Sequence, residues 1–207
     1  MKKVFVLSTF CLLVSYLFAQ NLTNPCQLAE AAEKIVDATI RYDPSYVRIP
    51  YPNGDVDPKT GVCTDVVIRA YRQLGVDLQK EVHEDVINNF DKYPIRRIWK
   101  KTEADANIDH RRVPNLMVFF TRHGEVLKIT DNGLDYQSGD LVCWDLGGGI
   151  LHIGIVSETK VNVVRNNLLI KTDRCKVIHN IGYGQVKEDC LFSWKIIGHY
   201  RYLGGRK

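Results

Sequence analysis

A chain of 207 residues, 45% hydrophobic and 25% charged, is long enough to bury one core and has an ordinary globular composition. That excludes a disordered, fibrous or polytopic membrane protein. The formal net charge is +4, and without Lys2 and Lys3 only 26 basic residues face 24 acidic ones, so no nucleic-acid partner is expected.

Lys2-Lys3 precede an uncharged apolar run from Val4 to Phe18 that closes on Ala19. This is the pattern of a secretory signal peptide, and the run is shorter than the ~20 residues a bilayer span requires. The expected organisation is a signal peptide over residues 1–19 and a single domain over 20–207. The mature protein is then periplasmic or secreted, with no integral membrane segment.

Asn24-Pro25 reads as a helix start, and Leu28, Ala31, Ala32, Ile35 and Val36 recur at helical spacing, predicting a helix from about Cys26 to Ile40. Residues 42–61 hold Pro44, Pro50, Pro52, Asn53-Gly54, Asp57-Pro58 and Gly61, and predict a long turn-rich loop. Val66, Val67, Ala70, Tyr71 and Leu74 then mark a helix from Cys63 to Gly75, which places Cys63 at its N-terminus. A third helix is predicted over Gln79–Asp91 and a short one from Pro114 to Gly124, with a basic, irregular stretch between them. From there the period becomes two. Strands are predicted over Val126–Ile129, Leu141–Asp145, Ile150–Ser157, Val163–Lys171, Lys176–Ile181 and Ile196–Leu203. Helices first and strands second predict an α+β fold with an antiparallel sheet.

After the leader, five cysteines remain, and an odd number leaves at least one thiol unpaired. Cys175 and Cys190 are symmetric about Gly182-Tyr183, the tip of an expected hairpin, and a disulfide between them is predicted. No Cys-x-x-Cys spacing supports a structural zinc site, and no metal or cofactor is expected.

A thiol in the first turn of a helix meets unpaired N–H groups and the positive end of the helix dipole, which favour thiolate. Cys63 is therefore the candidate nucleophile, and Asp65 is read as stabilising the helix start. A nucleophilic cysteine needs a base, normally a histidine oriented by a third polar group. In Leu151-His152-Ile153-Gly154-Ile155-Val156, alternation puts His152, Gly154 and Val156 on one face. Only one of His179 and Asn180 can face His152, and the apolar companions Val177 and Ile181 argue for His179.

Gly61-Val62-Cys63-Thr64-Asp65, Gly139-Asp140-Leu141-Val142, His152-Ile153-Gly154-Ile155-Val156 and Val177-Ile178-His179 resemble, in order, the papain-like fold of NlpC-type cell-wall peptidases. Tyr51-Pro52-Asn53-Gly54-Asp55, the run from Asn107 to Leu116, and Gly198-His199-Tyr200-Arg201-Tyr202 are similar to the exported bacterial family of domain of unknown function 1287. That closer resemblance spans about Ile35 to Leu203 and implies an NlpC-like fold, with N-terminal helices packed on an antiparallel sheet. It implies Cys63 as nucleophile, His152 as general base and His179 as the residue orienting it, with Tyr51, Arg111 and Arg112 as substrate-binding residues. Arg111 or Arg112 would grip a carboxylate bidentately. Val62 stands where those peptidases commonly carry Asp, and residues 79–130 intervene between Cys63 and His152, which implies a remodelled cleft. The function so implied is an exported cysteine hydrolase acting on a peptidoglycan amide or a related cell-wall peptide. The alternatives are an acyltransferase using the same triad and a non-catalytic cell-wall binding domain.

Overall fold

The computed structural model describes residues 22–165 and 168–205, and the expected signal peptide lies outside the described residues. Asn24 accepts the Cys26 N–H at 2.9 Å and opens α1 (Cys26–Glu33), which buries Leu28, Ala29, Ala31 and Ala32. The helix ends seven residues before the predicted Ile40. Asp37 bonds Thr39 through its own side chain and exchanges backbone bonds with Gln185, so this stretch serves a bridge instead of a further helical turn. Two short strands, β1 (Arg41–Tyr42) and β2 (Thr60–Gly61), pair in parallel and clasp the turn-rich loop between them.

The loop is tied to α2 (Cys63–Gln73) by Asp55, which accepts from Arg69 at 3.0 Å and Arg72 at 2.8 Å. Gly54 is required there, because a Cβ would lie 1.9 Å from the Pro50 carbonyl oxygen. Helix α3 (Leu78–Asn88) is capped by Asp77, and α5 (Val113–His123) carries its proline in the first turn. Between them the basic stretch predicted as irregular holds a helix, α4 (Ile95–Trp99), which starts after Pro94 and stops at Lys100 in the left-handed region. It is a single short turn with one fully buried residue, Ile95, too brief to give a sequence period.

The main sheet has six strands in the order β3 (Glu125–Val126), β8 (Lys195–Arg201), β4 (Leu141–Asp145), β5 (Leu151–Arg165), β6 (Leu168–His179) and β7 (Val186–Glu188), every neighbouring pair antiparallel. The fold class is α+β, as expected from the sequence. The predicted strand Val163–Lys171 is not one strand: its residues divide between the end of β5 and the start of β6, which pair antiparallel, because Val163 and Val164 on one side and Leu168, Leu169 and Ile170 on the other read in sequence as one apolar stretch. Among the described residues, no helix is long and apolar enough to cross a membrane.

Alternation sorts the sheet into two faces. Leu141, Cys143, Ile153, Ile155 and Ile178 pack with the apolar stripes of the helices, including Val66, Val67, Tyr71, Leu116 and Phe120. Each of these fully buried side chains contributes about 1.5–3 kcal/mol of transfer free energy. Val142, Trp144, Val156 and Val177 face the other way and are covered by Cys190 and Leu191, with Trp144 donating to the Leu191 carbonyl at 2.9 Å.

Candidate active site

Cys63 is the first residue of α2. Its start is fixed by Asp65, which accepts the Val62 N–H at 2.7 Å while its own N–H reaches the Val62 carbonyl. Asp65 thus takes the helix-start role read from the sequence. It also binds Arg111, a partner the sequence did not reveal.

The sheet meets Cys63 at the point where a rung is missing. Val156 directs its N–H to Asp140 on the β4 side, so by alternation Ile153 directs its own towards β6. The β5–β6 ladder opens only at Ile155↔Ile178, and β6 ends at His179, leaving the Ile153 N–H free to donate towards the Cys63 sulfur. Burial pushes the thiol up to about 12, against the opposing pull of that amide and those of Thr64 and Cys63 itself. The dipole argument from sequence is therefore overridden by desolvation: Cys63 is 5% exposed and rests as a neutral thiol.

One residue before that amide stands His152. Its Nε2 lies 2.7 Å from His179 Nδ1, and His179 Nε2 lies 2.8 Å from Glu188 Oε1. Asn180 turns away, donating to the Gly61 carbonyl at 3.3 Å. Gly154 makes the histidine pair possible: a Cβ there would meet Val177 Cγ1 at 2.7 Å and His179 Cβ at 3.2 Å. Trp144 and Trp194 wall the two rings, with centroids 5.7 and 6.1 Å from that of His152. Burial, then the neighbouring His179, pushes His152 down to about 3, so both rings rest neutral. Among the described residues, no hydrogen bond joins Cys63 to His152.

Glu188 and Cys190 belong to this cluster and were missed in the sequence. Cys190 lies 3.5 Å from His179 Nε2. Glu188 sits on β7, a three-residue strand too short to show alternation, and only its pairing with β6 brings it to His179. The predicted Cys175–Cys190 disulfide does not form, and both thiols are free. The β6–β7 register of Val177↔Glu188 would extend to these two positions, but β7 stops at Glu188. The Cys190 N–H folds back onto the Glu188 carbonyl, and its sulfur meets His179 instead.

Cys63 opens on a cleft of about 360 Å³ lined by Tyr42, Ile98, Trp99, Arg112, Val113 and Leu151, among others. Several of these come from residues 79–130, the block expected to remodel the cleft. A groove of about 830 Å³ continues from it, sharing Ile98, Pro114 and Leu151 and edged by Lys92, Arg96 and Arg97. Arg112 holds its guanidinium 4.0 Å over the Trp99 ring and donates to Asp109 at 3.1 Å. Arg111 also lines this cleft, but Nε and Nη2 of its guanidinium are engaged by Asp65, at 2.8 and 2.9 Å, with both side chains 2% exposed. Tyr51 stands apart from this cleft, its ring edge-on to His83 at 5.1 Å.

The family model described as "Domain of unknown function (DUF1287)" matches residues 29–202. The chain is also 49% identical over 176 residues to the "Uncharacterized protein YijF" of Escherichia coli (strain K12), covering 85% of this chain and 80% of that one. No solved structure matches the chain.

Proposed function

Because the chain belongs to the DUF1287 family of domains of unknown function, we propose its activity from its own residues: an exported cysteine hydrolase of papain-like, NlpC-type architecture. Its substrate class is an amide of peptidoglycan stem peptide or a related cell-wall peptide. The observation that carries this reading is the chain of contacts from Glu188 through His179 to His152. A carboxylate only accepts, so His179 carries its proton on Nε2 and accepts at Nδ1 from His152 Nε2–H. The remaining nitrogen of His152, Nδ1, then bears a lone pair and can take a proton.

In the reaction, the Cys63 S–H passes its proton to His152 Nδ1 as the sulfur attacks the amide carbonyl carbon. The Ile153 N–H stabilises the sulfur's negative charge, and the Cys63 N–H faces the developing oxyanion. His152 returns the proton to the leaving amine, giving a thioester. Water, deprotonated by the same nitrogen, then releases the acid and restores the thiol. Arg112 on Trp99 supplies a cation and a flat apolar wall in the cleft, which suits an acidic peptide.

A non-catalytic cell-wall binding domain is the second reading. It is favoured by one observation, the neutral, buried thiol without a hydrogen bond to His152. Incubation with defined muropeptides, followed by mass spectrometry, separates the two: new termini that disappear in Cys63→Ala support the hydrolase, and retention of intact muropeptide supports the binding domain.

A further inference from the structure

His179, Glu188 and Cys190 each offer one metal-ligating atom, and the three atoms lie within 4.8 Å of one another. Nitrogen, carboxylate oxygen and sulfur are the donor set of zinc, and three protein ligands leave a fourth position for water. Bond lengths of about 2.0 Å to nitrogen and 2.3 Å to sulfur in a tetrahedron put those two atoms roughly 3.5 Å apart. His179 Nε2 and Cys190 Sγ are 3.5 Å apart already. Glu188 Oε1, 2.8 Å from the nitrogen, is closer than about 3.4 Å, the tetrahedral spacing. Its side chain is 47% exposed and free to retract by that amount. Both His179 and Cys190 are held in place by burial.

We infer that His179, Glu188 and Cys190 form a site for a zinc-class divalent cation, and that filling it silences the base. The second half rests on the hydrolase reading. Binding displaces the Cys190 thiol proton to solvent, forming a metal–sulfur bond, while Nε2 of His179 exchanges its proton for the metal. Neutral His179 then carries its proton on Nδ1, as metal-bound histidines do when they donate onward. Nδ1–H now donates to His152 Nε2, so the His152 proton moves to Nδ1. The nitrogen that should accept from Cys63 has become a donor. One proton leaves for each metal bound, and the carboxylate and thiolate neutralise the dication.

Cobalt(II) is the probe for the site, because thiolate ligation gives a near-ultraviolet charge-transfer band. One equivalent is expected to raise the band in the wild type and in Cys63→Ser, and none should appear in Cys190→Ser. Glu188→Gln, on the exposed strand, is a second variant should Cys190→Ser fail to fold, with binding weakened at least tenfold. A band that survives in Cys190→Ser, or its absence from the wild type, overturns the site. The switch is read by the rate of Cys63 alkylation by iodoacetamide, resolved by peptide mapping. Zinc is expected to slow it at least tenfold in the wild type and leave it unchanged in Cys190→Ser. A cobalt band with no zinc effect on alkylation overturns the switch and leaves the site standing. A Cys63 inert with and without zinc overturns the hydrolase reading and the switch together, and the cobalt band alone then decides the site.

Discussion

Arg111 grips Asp65 through two parallel bonds, Nε to Oδ1 at 2.8 Å and Nη2 to Oδ2 at 2.9 Å. The same carboxylate caps the helix that begins at Cys63, so one buried ion pair ties the Asp109–Arg111 turn to the nucleophile's helix. Arg111→Ala leaves Asp65 buried without its partner and is expected to cost about 3–5 kcal/mol. The measure is the urea midpoint at unchanged slope. A loss below ~1 kcal/mol would mean that Asp65 finds water or another donor.

Arg112 lines the same cleft but differs in keeping part of its side chain in solvent, 16% against 2% for Arg111. Arg112→Ala is expected to raise KM for an acidic cell-wall peptide several-fold while changing kcat little, the signature of lost uniform binding. An unaltered KM would remove it from the substrate site.

Cys63→Ala and His152→Ala are each expected to lower turnover by roughly 10³-fold or more in a folded domain, and the double variant should resemble Cys63→Ala alone. The assay runs beside a thermal melt. Wild-type turnover in a well-folded Cys63→Ala protein would refute the hydrolase reading.

His179 acts through His152, so its loss should be milder and rescuable. His179→Ala is expected to cost roughly 10–10²-fold in kcat. His179→Asn should recover most of this, since its side-chain oxygen can accept from His152 Nε2 as the imidazole does. Equal damage from both substitutions would assign His179 to packing instead of orientation.

Asp85 joins α3 to α5: it accepts from Arg122 at 2.7 Å and from Tyr93 at 2.6 Å. Burial raises its carboxyl, but Arg122, Tyr93 and His123 together outweigh this and hold it at about 2, below the ordinary 3.8. A depressed folded value stabilises above the unfolded value and is lost as pH falls towards about 2. The contribution is on the order of 1–2 kcal/mol. Asp85→Asn should therefore melt below the wild type at neutral pH, and the gap should close near pH ~2. A gap that stays constant with pH would assign the effect to packing.

The order and kind of the main elements were legible in the sequence because they rest on local periodicity. Apolar residues spaced along one helical face predicted α2, α3 and α5, and alternation predicted β4 and the start of β5. Turn chemistry also placed Cys63 at a helix start, and strand alternation put His152 on one face with Gly154. What the sequence by itself could not determine is whatever depends on pairing between distant segments. The strand predicted over Val126–Ile129 forms only as the two-residue β3 at Glu125–Val126, while the three-residue β7 and the single turn of α4 are too short to carry a period and only tertiary packing decides them. Glu188 reaches His179 through the β6–β7 register. Cys190 leaves that ladder two residues later, so symmetry about a turn predicted a disulfide where the chain instead sets a sulfur against an imidazole. Arg111 is read from the sequence as a cation for a substrate carboxylate, and its burial against the protein's own Asp65 arises from a contact 46 residues away. The state of the Cys63 thiol was decided in the same way. Its place on the helix argued for thiolate, but the sheet and helices that bury it remove the water that would solvate the charge.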